Sequence, residues 1–129
     1  MIIVDSSGWL HYFMGGQLVE PYAKYLEKHF NEIITPPVIL YEVYKKLRRE
    51  VDEETLEICL SQLEKTNLVE FNADLAYRAA ELSLEHCLAM ADSMIYATAQ
   101  EYHARLITSD KDFKDLPGVE YIAADESKS

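Results

Sequence analysis

Apolar positions along the chain follow two periods. Short continuous runs, "IIV" (2–4), "EIIT" (32–35), "LVEF" (68–71), "RLIT" (105–108) and "VEYI" (119–122), have the length and composition of strands. The run at 2–4 lacks any polar alternation, as expected of a strand buried on both faces. Helical spacing fills the intervals: residues 7–14 read as a short helix and 18–30 as a longer one. Pro36 and Pro37 open a helix through about Arg49, because proline suits a first helical turn. Asp52 stands where it can cap a helix over 53–66, and Asn72 one over 73–86. A last helix, about 89–103, sets Ala91, Met94, Ile95, Thr98, Ala99 and Tyr102 on one stripe. Strands alternating with helices predict a three-layer α/β/α fold around a central parallel sheet of about five strands.

Composition narrows the class. With 129 residues, 49% of them apolar, the chain suits one domain with a real core, over 1–123, followed by a polar tail, "ADESKS", over 124–129. No apolar run approaches the ~20 residues of a membrane span. The opening "MIIVDSSGWL" lacks the basic region of a signal peptide. Cys59 and Cys87 fall in helical patterns at no metal or redox spacing, and read as buried thiols of a cytoplasmic protein. The net charge of −11 opposes a nucleic-acid partner by long-range repulsion. Acids gathered into one cation-binding cleft would count in that total yet be neutralised by the ions they hold.

Four acids occupy places that fit such a cleft. Ligands of an open parallel sheet bind beyond the carboxyl ends of its strands. Asp5 directly follows the first strand and Asp110 closely follows the fourth, so neighbouring strands would deliver both carboxylates to one edge. Glu42 lies where an apolar helix stripe, Val38 and Ile39, gives way to Lys45, Lys46 and Arg49; alone, it reads as an exposed partner of Lys46. Asp92 heads the apolar face of the last helix and alone reads as an N-cap or an acid favoured by the helix dipole. "SDKDF" (109–113), alone, is a polar turn. Together, carboxylates so close would raise each other's pKa unless a cation sat between them. Oxygen donors suit Mg²⁺ or Mn²⁺, and no Cys/His set favours zinc. Such ions support phosphodiester hydrolysis.

In these motifs the chain resembles a PIN domain, specifically the small VapC-type toxin ribonucleases, from "MIIVDSS" to about "GVEYI". "IIVDSS" matches that family's opening strand, acid and small polar pair and places its first acid on Asp5. "PPVILYEV" places the second on Glu42, "MADSMIYATA" the third on Asp92, and "TSDKDF" the fourth on Asp110, with Asp112 a possible fifth or simply an exposed turn acid. The resemblance implies a Mg²⁺- or Mn²⁺-dependent endoribonuclease, commonly a homodimer, held inactive by a cognate antitoxin of a type II toxin-antitoxin pair. It implies Asp5 and Asp92 as metal ligands, with Glu42 and Asp110 completing the site directly or through water. Ser7 and Thr108 are candidates for orienting carboxylates or water, Ser7 alternatively for capping the first helix. Lys45, Lys46 and Arg49 form the densest basic cluster and read as a phosphate-steering patch or as a solvated face balancing nearby acids. Phe113 is expected to anchor its turn in the core. Ser6 and Ser7 stand where other members often carry Thr and Asn.

Other classes fit less well. A response-regulator receiver needs paired acids after strand 1, an acceptor Asp after strand 3 and Lys after strand 5, whereas Asn72 follows "LVEF" and no Lys follows "VEYI". A haloacid-type phosphatase needs D-x-D where "DSS" stands. A serine hydrolase needs an elbow of the G-x-S-x-G type, which is missing, and His11, His29, His86 and His103 all lie in helical patterns. A PIN-fold RNA- or protein-binding module without catalysis is the remaining alternative.

Overall fold

The structure, a computed structural model, describes residues 1–123; the polar tail expected at 124–129 lies outside them. Strand β1 (Ile2–Val4) is followed by helices α1 (Ser6–Met14) and α2 (Val19–Lys28), and a 3₁₀ turn (Phe30–Glu32) then leads into β2 (Ile34–Thr35). Helices α3 (Pro37–Glu50) and α4 (Glu53–Glu64) precede β3 (Asn67–Leu68). The chain continues through α5 (Ala73–His86), α6 (Met90–Glu101), β4 (Arg105–Thr108), a 3₁₀ turn (Lys111–Phe113) and β5 (Val119–Tyr121).

Local chemistry sets several boundaries. Pro37 occupies the first turn of α3, where its missing N–H is no loss. Asp52 caps α4 by accepting from the Thr55 N–H at 2.8 Å, and Asn72 caps α5 by accepting from Leu75 N–H at 2.9 Å.

Strands β1, β4 and β5 form a parallel sheet with β4 in the middle. The register pairs Val4 with Ile107, and Ile3, Val4, Leu106 and Ile107 are fully sealed from solvent, as the unbroken apolar runs predict. The other two strands depart from the expected single sheet of about five. β2 and β3 pair with each other in parallel, and one bridge, Ile2 to Ile33, joins that pair to β1. Pro36 ends β2 after two residues by withholding a ladder N–H. β3 also starts and stops earlier than "LVEF" implies, with both of its residues exposed.

The core is continuous from Ile3 and Trp9 to Tyr96 and Phe113. Phe113 is fully buried, its ring 6.3 Å from that of Tyr96, and so fixes the turn after β4 as the sequence led one to expect. Gly8 gives α1 its close approach to α2, since a Cβ there would overlap the Tyr22 ring and lie 2.8 Å from Val4 Cγ1. Cys59 is buried, but Cys87 is exposed. It follows α5 as its C-cap in the left-handed conformation (φ 58°), where a buried thiol was expected.

Candidate metal centre

Parallel pairing of β1 with β4 brings Asp5 beside Thr108, and the Asp5 N–H donates to Ile107 O at 3.0 Å. Asp5 caps α1, its Oδ1 accepting from Ser6 N–H at 2.8 Å, while Thr108 Oγ1 donates to Oδ2 at 2.7 Å. The side chain is only 4% exposed, so both of its oxygens are engaged in a largely dry site. Thr108 Oγ1 also accepts from the Asp110 N–H at 3.0 Å, and Asp110 Oδ1 accepts from the Asp112 N–H at 2.9 Å. One string of hydrogen bonds thus runs from Asp5 through Thr108 and Asp110 to Asp112.

Asp92 approaches from α6. It is not that helix's N-cap, which is Ala89 and bonds through no side chain; it lies in the first turn, where the helix dipole favours negative charge. Carboxylate oxygens of Asp92, Asp110 and Asp112 all fall within 4.8 Å of one another. Glu42 enters from α3, and its Oε1 accepts from the Ser6 hydroxyl at 3.0 Å. Glu42 does not pair with Lys46, whose ammonium instead meets Glu50 at 3.2 Å.

The electrostatics match this crowding. Burial pushes the Asp92 carboxyl up to about 7, and the negative charges of Asp110, Asp5, Glu42 and Asp112 add to the effect. Burial also raises Asp5 from 3.8 to about 6, against the lowering influence of its Thr108 and Ser6 bonds, with Glu42 and Asp110 adding to the rise. Among the described residues no ion pair includes Asp5, Glu42, Asp92, Asp110 or Asp112. Hard oxygen donors converge here with no protein cation to offset them, a donor set that fits an oxygen-seeking divalent ion.

Against this geometry, the family model for the PIN domain matches residues 2–119. The chain belongs to the PIN domain family. No curated protein matches it in sequence. Solved structures do. A toxin-antitoxin complex from Klebsiella pneumoniae contains a chain 26% identical, with a TM-score of 0.77 over 95% of this chain and all of that one. The VapBC2 complex of Rickettsia felis bound to promoter DNA matches at 18% identity and TM-score 0.73, over 97% of this chain and all of that one. A sarcin-ricin loop-cleaving VapC toxin of Mycobacterium tuberculosis matches at 18% identity and TM-score 0.73, over 96% of this chain and 98% of that one.

Within this PIN domain the two serines after Asp5 divide differently from expectation. Because Asp5 itself caps α1, the helix begins at Ser6, and it is Ser6 that reaches Glu42. Ser7 is neither the cap nor a partner of any carboxylate; its buried Oγ lies toward the Tyr22 hydroxyl instead. Two further residues escaped the sequence reading. Tyr22, fully buried in α2, donates to Ser109 Oγ at 2.9 Å, tying α2 to the turn that carries Asp110. Nothing local marks such a bond: Tyr22 reads as one more apolar-stripe residue and Ser109 as one more turn residue. Lys45, Lys46 and Arg49 line a shallow groove together with Tyr41 and Glu42, so the basic patch lies beside the Glu42 edge of the acidic cluster. No helix among the described residues is long and apolar enough to cross a membrane.

Proposed function

We propose that this PIN domain is a Mg²⁺- or Mn²⁺-dependent endoribonuclease that hydrolyses RNA phosphodiester bonds, and that it is the toxin of a toxin-antitoxin pair. The observation that carries the reading is the convergence of Asp92, Asp110 and Asp112 within 4.8 Å, backed by buried Asp5 and uncompensated by any protein cation among the described residues. Family membership and the 26% identical chain of a toxin-antitoxin complex support it.

Asp92, Asp110 and Asp112 are the side chains best grouped to hold the ion, with Asp5 and Glu42 completing the negative site directly or through water. A divalent ion bound there polarises a phosphoryl oxygen and lowers the pKa of water. Burial and the neighbouring carboxylates push Asp92 up to about 7, so a cation bound there would favour the charged form that the metal-free site opposes. Thr108 opposes the rise of the Asp5 pKa and aims its carboxylate, and Ser6 orients Glu42. Lys45, Lys46 and Arg49 draw the phosphate backbone toward the acids through an otherwise repulsive field. A homodimer, and an antitoxin that supplies an Arg or Lys to the carboxylates in place of the metal, complete the reading.

The test is cleavage of single-stranded RNA with and without Mn²⁺, by the parent and by Asp92→Asn. The parent is expected to cut only with metal, and Asp92→Asn to bind the ion weakly and not to cut. Metal-independent cleavage, or full activity in Asp92→Asn, would overturn the mechanism. A parent that binds Mn²⁺ but neither binds nor cuts RNA would overturn the substrate.

A further inference from the structure

Tyr41 immediately precedes Glu42 on α3 and is 62% exposed, so much of its ring is open to solvent. It forms one wall of a groove of about 230 Å³ whose other lining residues are Glu42, Lys45, Lys46 and Arg49. Lys45 stands over the ring, its Nζ 5.5 Å from the centroid and 3.4 Å from the hydroxyl oxygen. Among the described residues neither Lys45 nor Arg49 is engaged by a carboxylate. Lys24 and Lys114 also stand over tyrosine rings, but Tyr25 is buried and Tyr121 half-buried, whereas Tyr41 is open and shares its groove with Glu42.

Each part suits a single nucleotide. Aromatic faces hold unpaired bases by stacking, which tolerates any base because every base has a π-face, while Lys and Arg hold the phosphates. A protein-binding hot spot would call for an aromatic anchor within an apolar, water-excluding surround. This groove has one ring among four charged side chains. Its position also gives direction: Glu42 forms its wall and accepts from Ser6, which adjoins Asp5, so the groove opens beside the acidic cluster.

From this arrangement we infer that Tyr41 is a base-stacking platform, with Lys45 and Arg49 on the adjoining phosphates, binding a nucleotide of single-stranded RNA next to the bond presented to the acids. The inference rests on the ribonuclease reading and adds the subsite that holds the substrate beside the cut.

Binding of a fluorescent single-stranded RNA, measured by anisotropy across a salt series in an Asp92→Asn background, tests it. Tyr41→Ala is expected to weaken binding about 5- to 150-fold, the range for losing one stacked base, without changing the salt slope. Tyr41→Phe should keep the affinity, since the face and not the hydroxyl does the holding. Arg49→Gln should lower the salt slope by about 0.7. Because Tyr41 is exposed, thermal unfolding should show all the variants folded. Unchanged affinity in Tyr41→Ala, or equal loss in Tyr41→Phe and Tyr41→Ala, would overturn the platform. So would a Tyr41→Ala that loses only self-association by sedimentation, which would make the ring part of a protein interface. If the Asp92→Asn parent itself binds no RNA at low salt, the ribonuclease reading falls as well, an outcome distinct from a parent that binds and a Tyr41→Ala that binds equally.

Discussion

Thr108 and Asp5 meet across 103 positions of sequence through a 2.7 Å hydrogen bond, and the same hydroxyl accepts the N–H of Asp110. One side chain therefore sets the orientation of Asp5 and the path of the turn that carries two more acids. Thr108→Val keeps the shape and the buried β-branched packing but removes both bonds. A hydrogen bond to a charged group contributes about 1.5–3 kcal/mol, so metal affinity should fall roughly 10- to 100-fold. The lost bond is one that lowers the Asp5 pKa, so Asp5 should titrate above its parent value of about 6, and the acidic limb of the activity profile should move to higher pH. Calorimetric Mn²⁺ titration and a pH–rate profile check both outcomes.

The metal-free protein should lose stability as pH rises. Asp5 and Asp92 bind protons more readily folded, at about 6 and about 7, than at their ordinary 3.8. The folded state therefore holds more protons between about pH 4 and 7, and stability falls across that window. The contribution is fully present below about pH 4 and is lost as pH passes through about 6 and then 7. Thermal melts in EDTA should show a declining midpoint from pH 5 to 7.5, flattened in Asp92→Asn. Mg²⁺ or Mn²⁺ should raise the midpoint more at pH 7.5 than at pH 5, since binding needs the carboxylates deprotonated.

Ser6 and Ser7 should separate under alanine substitution. Ser6→Ala frees Glu42 from its 3.0 Å bond and should cost catalysis about tenfold with little change in melting temperature. Ser7→Ala removes a buried hydroxyl that touches no carboxylate and lies toward Tyr22, and should leave activity intact with at most about 1 kcal/mol lost in stability. Steady-state kinetics alongside thermal melts distinguish the pair, and the reverse pattern would refute the assignment of Ser6 to Glu42.

Asp112 offers a cleaner test of the acid trio. It is exposed, and its backbone N–H, not its carboxylate, supports the turn by donating to Asp110. Asp112→Asn should therefore leave the fold unchanged while weakening Mn²⁺ affinity on the order of tenfold. Unaltered affinity would return Asp112 to the role of a turn acid.

Much of this architecture was legible in the residues. Continuous apolar runs marked β1 and β4 as buried strands, and an acid after each implied that one sheet edge would carry both, which the Val4–Ile107 register bears out. Caps at Asp52 and Asn72 followed from side-chain chemistry alone. The rest depended on geometry that local patterns do not encode. Asp5 took the cap of α1, which shifted the helix start by one residue and gave Glu42 to Ser6. Tyr22 found its partner 87 positions away. Cys87 follows α5 in a left-handed cap and is exposed rather than buried, which helical patterning does not reveal.

The placement of β4 between β1 and β5 also governs timing. β1 is made before every other element of this domain, yet its partner on that side, β4, begins only at Arg105. A growing chain that stops short of β4 already contains Asp5, Glu42 and Asp92, but Asp5 lacks the Thr108 hydroxyl and Asp110 and Asp112 do not yet exist. At about 5–20 residues per second, the stretch between the two strands takes on the order of 10 s to make, and the acids cannot converge before it is complete. Until β4 is made the acidic centre is therefore incomplete, and whatever chemistry it performs is withheld from the growing chain.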